Sequence, residues 1–348
     1  MVSLEAYSLE MTSPLHLGGV GIGMEESAET VPSDTLFSAI CWGLREAEGA
    51  GWLQELLDSF HGSEPPFLIS STFPWAGGIR FLSRPMLPIP SPKDGGREGG
   101  SSAAPGKLLK RVAFVSEEIF ARWIAGEELE LQEGSILPDG LWLSPAESGQ
   151  LPEHLARLPA EERRLWHDEE PVARVALDRV SARSALYHVG ETRFSPQCGL
   201  WFAVRWNEPD WRDPFEAALS CLAEAGIGGE RSSGRGRFRW ERGETPRLPA
   251  PSRGMAVTLS LYHPTSEEVA AGHLDDALYR LLTRRGWVGS PEGQGWRGRP
   301  VRMLAEGSVL DARARGDLVD VTPVGFTSHP VYRYGMAFLV TATGGHDG

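Results

Sequence analysis

LWFAVRWNEPDWRDPFEAALSCLAEAGIGGERSSGRGRFRW, Leu200 to Trp240, passes from strand to helix to strand and decides the fold. Leu200, Phe202, Val204 and Trp206 alternate with Trp201, Ala203 and Arg205, the period of two expected of a β-strand. A helix follows, with Asp213 as its expected N-cap, Pro214 at the first helical position and Glu216 completing a capping box. Phe215, Ala218, Leu219 and Leu222 line its buried face, and Gly226 reads as its stop. A second strand runs through Phe238 and Trp240.

The connection between helix and strand, GIGGERSSGRGRF (Gly226 to Phe238), concentrates glycine, serine and arginine. Gly228, Gly229, Gly234 and Gly236 permit positive φ and close approach of backbone N–H groups to an anion. Arg231, Arg235 and Arg237 add planar, permanently charged forks that match phosphate oxygens, with Ser232 and Ser233 beside them. Gly229 and Gly234 have the spacing of a nucleotide-binding P-loop, but Arg235 replaces the lysine, Gly236 replaces the magnesium-binding hydroxyl, and the loop follows a helix. ATP and GTP are therefore rejected. The competing reading is a slack turn with solvated arginines.

Upstream, residues 2–11 alternate as a strand, followed by the glycine-rich SPLHLGGVGIGMEES. A helix then starts at Pro32, Ser33 and Asp34, buries Leu36, Phe37, Ile40 and Leu44, and ends at Gly49 and Gly51. Ser33 and Thr35 could cradle a phosphate there, but Asp34 would repel it, so capping is the expected duty. Strand–helix, a long excursion, then strand–helix–strand describes an α+β, ferredoxin-like or RRM-like sheet with an insertion in its middle.

The insertion contains residues 85–106, whose proline, glycine and serine content predicts a mobile loop. An acidic helix is expected around Glu117 to Glu130, and Arg174 to Phe194 alternates apolar and basic residues as a projecting hairpin would. His167, Asp168, Glu169 and Glu170 read as a solvated acidic turn, not a metal site. GETPRLPAPSRG, Gly243 to Gly254, is a proline-rich linker, which divides the chain into 1–248, with a thumb region at about 112–195, and 249–348. In the second unit Met255, Val257, Leu259 and Leu261 predict a strand, Leu278, Leu281 and Leu282 a further element, and YRYGMAFLVTAT a terminal strand.

The 348 residues carry a net charge of −13, unevenly spread. Residues 1–80 hold eleven acids against two arginines, whereas Arg280 to Arg302 includes six arginines against Glu292 alone. An acidic body with basic stripes, in which arginine alternates with glycine and aromatics, favours RNA as a ligand. No apolar run reaches membrane-span length and no secretory signal opens the chain, so the expected location is cytoplasmic. Cys41, Cys198 and Cys221 lack C-x-x-C spacing and are expected to be apolar thiols; no metal site and no cofactor is expected.

PLHLG (Pro14 to Gly18), PSDTLFSAI (Pro32 to Ile40), RVALDRVSARSALY (Arg174 to Tyr187), the glycine loop, EGSV (Glu306 to Val309) and HPVYRYG (His329 to Gly335) occur in one order. In that order the chain resembles, over its whole length, the fourth subunit of the type III-A CRISPR effector, the Csm complex, within the RAMP superfamily. The equivalent type III-B (Cmr) subunit is the runner-up. The resemblance implies two RRM-like domains, the first with a thumb-like hairpin and the second degenerate. It also implies a non-catalytic subunit that holds the 5′ tag of the crRNA and joins the large polymerase/cyclase-type subunit to the backbone RAMP subunit.

Under that reading the phosphate contacts are Gly228, Gly229, Arg231, Ser232, Ser233, Gly234, Arg235, Gly236 and Arg237. Arg179 and Arg183 steer the strand from the thumb, where Val180 or Tyr187 could wedge between bases, and His16, Gly18 and Gly19 join the RNA-facing set. The alternative function is a RAMP endoribonuclease with His16 as acid or base. PLHLGGVGIG offers His16 no local catalytic partner, which favours a packing role. Tyr332, Arg333 and Tyr334 form a further aromatic-basic patch, either a weak RNA site or part of an interface.

Overall fold

The computed structural model describes residues 3–18, 28–62, 64–90, 108–177, 184–250, 253–293 and 295–342. Gly19, Arg179, Val180 and Arg183 lie outside these residues, as does most of the loop expected over 85–106.

Leu200 to Trp240 pass from strand to helix to strand, as their pattern predicts. β1 (Ser3–Met11) leads to α1 (Ser33–Glu48) and α2 (Ala50–Phe60), then to β2 (Phe67–Ile69), β3 (Phe73–Ala76) and β4 (Ile79–Ser83). After the insertion come β9 (Cys198–Trp206), a helix at Arg212–Ala225 and β10 (Phe238–Gly243). The central strands are ordered β10-β1-β9-β3, and the β1 and β9 pairings are antiparallel. This is the ferredoxin-like arrangement, with the excursion falling between the second and third strands of the motif.

The insertion divides in two. β5 (Phe114–Ser116), α3 (Glu117–Ile124) and β6 (Leu141–Trp142) extend the main sheet beyond β4. A short α4 (Glu153–Ala156) leads to β7 (Trp166–Leu177) and β8 (Ser184–Phe194), which pair with each other as a separate two-stranded hairpin. The hairpin begins at Trp166, earlier than the Arg174 to Phe194 stretch expected of it, and occupies only the last part of the 112–195 region. His167 to Glu170 lie within β7, just after its first residue Trp166, rather than in a turn, and Thr192 Oγ1 donates to Asp168 at 3.4 Å. Pro85–Pro90 are held in place rather than mobile: Met86 N–H donates to Gly307 O at 2.8 Å, and Trp123 Nε1 donates to Pro88 O at 3.0 Å.

The helix at Arg212–Ala225, α5, ends at Gly226 as expected, with φ of 89°. Its start differs. A 3-10 turn at Pro209–Trp211 runs into it, so Asp213 lies inside the first turn and no side chain caps the helix. Glu216 accepts from Tyr7 Oη at 2.9 Å and from Arg242 at 2.7 Å instead of reaching back to the cap. α1 ends at Gly49, but α2 begins at once and carries Gly51 within it.

β11 (Met255–Thr258) pairs with β14 (Val309–Asp311) and β17 (Leu339–Thr341), β12 (Leu281–Arg284) with β13 (Val301–Leu304), and β15 (Leu318–Asp320) with β16 (Tyr332–Tyr334). A capping box at Thr265 starts the short α6 (Ser266–Ala270). Two cores sandwich the main sheet. Tyr7, Leu9, Phe202 and Val204 face α1 and α5, while Ala6, Trp201 and Ala203 face Val257, Leu259, Phe338 and Val340 of the C-terminal strands. Base stacking on that second part of the sheet face, the usual RRM mode, is therefore blocked by the chain itself.

Candidate nucleic-acid interface

The glycine loop is a rigid double turn laid across Pro14 to Leu17. Ile227 N–H donates to Gly236 O at 2.9 Å and closes the loop; Gly229 N–H donates to His16 O and Gly236 N–H to Pro14 O, both at 2.8 Å. Glycine is obligatory at its tightest point: at Gly236 φ is 72° and a Cβ would lie 1.9 Å from Ile227 O. Arg231–Ser233 form one 3-10 turn between Glu230 and Gly234, both in the left-handed region. The amides of Gly229, Gly234 and Gly236 are thus engaged within the protein and are not open to a phosphate, contrary to the cradle expected of them.

The arginines divide. Arg235 Nε donates to Glu191 Oε1 at 2.7 Å, and Glu191 is fully buried in β8, so Arg235 ties the loop to the hairpin. Arg231 places its guanidinium over the ring of Trp42 in α1, 4.6 Å from the centroid. Arg237 is exposed, with no carboxylate partner among the described residues. Ser232 and Ser233 are exposed on the turn, and Gly18 is exposed with open space around its Cα.

His16 is 4% exposed, and its Nδ1 donates to Gly190 O in β8 at 2.7 Å. Its ring packs under Gly229, where a Cβ would come within 2.7 Å of Cδ2. The ring therefore does not face a ligand, which corrects its inclusion among the RNA contacts. Beside it, Leu15 and Thr192 exchange backbone hydrogen bonds at 2.8 Å in both directions. The loop, the first-loop segment and the base of the hairpin are consequently one cluster, joined by His16, Leu15 and Arg235.

A second cluster is ionic and buried. Asp34, fully buried at the start of α1, accepts from Arg284 Nε at 2.9 Å and from Arg284 at 3.0 Å through its other oxygen, and from Arg333 as well. Burial alone would raise the Asp34 pKa, but the two guanidinium groups outweigh it and hold the carboxyl below its ordinary value. Glu306 is bonded by Ser71 Oγ, and burial pushes its carboxyl up. Ser33 Oγ accepts from Leu261 N–H at 3.0 Å. Asp34 and Ser33 thus join α1 to the C-terminal strands rather than capping the helix. Arg333 and Tyr334 are removed from solvent by the same junction: Tyr334 is fully buried and stacks on Phe37 at 4.9 Å. The Tyr332–Tyr334 patch is therefore no base platform.

No group of three or more His, Cys, Asp or Glu suited to a metal occurs among the described residues, and no described helix is long and apolar enough to cross a membrane. Burial pushes the thiols of Cys41 and Cys198 up to about 12, far from thiolate chemistry. Trp42 and Glu191 carry no local signal in the sequence: Trp42 lies off the buried stripe of α1, and Glu191 is an acid in a basic stretch.

The architecture defines an α+β protein, a ferredoxin-like domain with a hairpin insertion followed by a second, β-rich part. The fold is similar to that of a chain in the solved Csm3-Csm4 subcomplex of the type III-A CRISPR-Cas interference complex, with TM-score 0.67 and 16% identity over 97% of this chain and 98% of that one. It is also similar to a chain of the Csm1-Csm4 cassette in complex with pppApA, with TM-score 0.59 and 20% identity over 97% of each. Residues 252–342 match the Csm4 C-terminal domain model. Two curated relatives named CRISPR system Cms protein Csm4 match most of the length. The one from Thermococcus onnurineus is 28% identical over 88% of this chain and 89% of its own; the one from Mycobacterium tuberculosis (strain H37Rv) is 29% identical over 90% of each. Over most of its length the chain is similar to Csm4 proteins, and its last third carries the match to their C-terminal domain.

Proposed function

We propose that this chain is a non-catalytic RNA-binding subunit of a type III-A (Csm) interference complex, working in the cytoplasm. It holds the 5′ repeat-derived tag of a crRNA and bridges the large polymerase/cyclase-type subunit to the backbone RAMP subunit. Residues 1–248 form the RNA-gripping unit and residues 249–348 the second unit. The observation that carries this reading is the convergence of the glycine loop, the first-loop segment and the hairpin base into one cluster, with Arg237 and Arg231 at its surface. Arg179 and Arg183, between β7 and β8, complete the grip on the strand. The assembly role is supported by relatives solved with Csm3 and with Csm1.

An endoribonuclease would need His16 at the scissile phosphate, and here its ring is buried with Nδ1 engaged. Incubating the purified chain with labelled repeat RNA separates the two functions. Binding with intact RNA is expected; metal-independent cleavage that disappears in His16→Ala overturns the proposal.

A further inference from the structure

The basic stripe from Arg280 to Arg302 is not absorbed by the glycine-loop cluster. It forms a β-ribbon: Thr283 pairs with Arg302 and Arg284 with Val301, and the ladder resumes as Trp287 opposite Arg297. Successive residues of a strand point to opposite faces. Leu282 and Arg284 turn inward, Arg284 to Asp34, while Leu281, Thr283, Arg285 and Trp287 are all exposed. Trp287 is 63% exposed, although Arg297 lies over its ring at 4.2 Å from the centroid. Arg285, Arg297 and Arg302 are exposed without a carboxylate partner among the described residues.

We infer that the outward face of this ribbon is a second contact for single-stranded RNA, with Trp287 and Arg297 stacking a base and Arg285 and Arg302 meeting phosphates. This rests on the reading that the chain binds RNA, but on residues separate from the glycine loop. Guanidinium groups without carboxylate partners, set beside an exposed aromatic ring, match a strand of phosphates and bases. An acidic protein surface would satisfy the cations and leave the ring unused. The two contacts are strapped to one helix: Arg284 is held at Asp34 of α1 and Arg231 at Trp42, about 12 Å apart along the helix axis at 1.5 Å per residue.

The test measures binding of a fluorescein-labelled single-stranded oligoadenylate to the full chain over a salt series, with photocrosslinked peptides mapped in parallel. Trp287→Ala should weaken binding about tenfold with the salt slope kept. The double variant Arg285→Ala/Arg302→Ala should lower the slope by about 1.4, both with an unchanged melting temperature. Crosslinks should fall on the ribbon. Unchanged affinity and slope in the ribbon variants, with no ribbon crosslink, overturn the inference, as does loss of a protein partner instead of RNA. Arg231→Ala/Arg237→Ala run beside them reports on the loop alone. Silent loop variants with responsive ribbon variants would sink the loop reading and leave this one standing.

Discussion

The glycine loop and the C-terminal ribbon are both arginine-rich in sequence, yet they use their arginines in different proportions. In the loop, Arg235 turns inward to the buried Glu191 and most glycine amides are engaged within the fold, leaving Arg231 and Arg237 for a ligand. In the ribbon, Arg284 alone turns inward, and its strand neighbours face solvent. A guanidinium beside a buried carboxylate holds the fold together; one without such a partner is available for binding. Charge counted along a sequence does not separate the two.

Removing an inward partner should therefore lower stability. Asp34→Ala leaves two nearly buried guanidinium groups uncompensated, and we expect a loss of about 3–5 kcal/mol in urea unfolding. A loss below about 1 kcal/mol would break the distinction, because the junction would then be an ordinary exposed pair. The next largest effect is that of Arg235→Ala, about 2 kcal/mol, since it removes the charged hydrogen bond that ties the glycine loop to the buried Glu191.

The pH dependence sharpens the same contrast. The folded pKa of Asp34 is depressed, so its stabilisation is complete above the unfolded value of about 3.9 and is lost as pH falls through the lower folded value. Glu306, pushed up by burial, has the opposite sign: it favours folding below about 4.3 and loses that contribution as pH rises through its folded pKa. The stability difference between wild type and Asp34→Asn should accordingly shrink as pH falls below about 3.9. A difference that stays constant down to acid unfolding would mean that Asp34 does not carry the junction.

The smallest effects on stability belong to the outward arginines. Arg237→Ala should change stability by no more than about 0.5 kcal/mol while lowering the salt slope for RNA by about 0.7. A stability loss comparable to that of Arg235→Ala would show that Arg237 also holds the fold.

The ferredoxin-like core was legible because its strands alternate and its helices carry stripes, so Leu200 to Trp240 fixed the element order without tertiary information. Helix starts were less legible: Asp213 has the chemistry of a cap, but the 3-10 turn at Pro209–Trp211 brings the chain into the helix earlier. The candidate site was half legible. The glycines of the loop have the composition of a phosphate cradle, whereas at Gly236 the neighbour that requires glycine is Ile227 O of the same loop. Partners distant in sequence, such as Arg235 with Glu191 or Arg333 with Asp34, leave no local periodicity, and so the aromatic-basic YRY segment read as surface when it is largely buried.

The central claim is that guanidinium groups at the base of the hairpin hold an RNA strand without cutting it. Its most direct test is the salt dependence of binding between the full chain and labelled repeat RNA, wild type against Arg231→Ala/Arg237→Ala. The account predicts intact RNA throughout and a slope smaller by about 1.4 in the double variant. An unchanged slope, or RNA cleaved by the wild type without added metal, would contradict it.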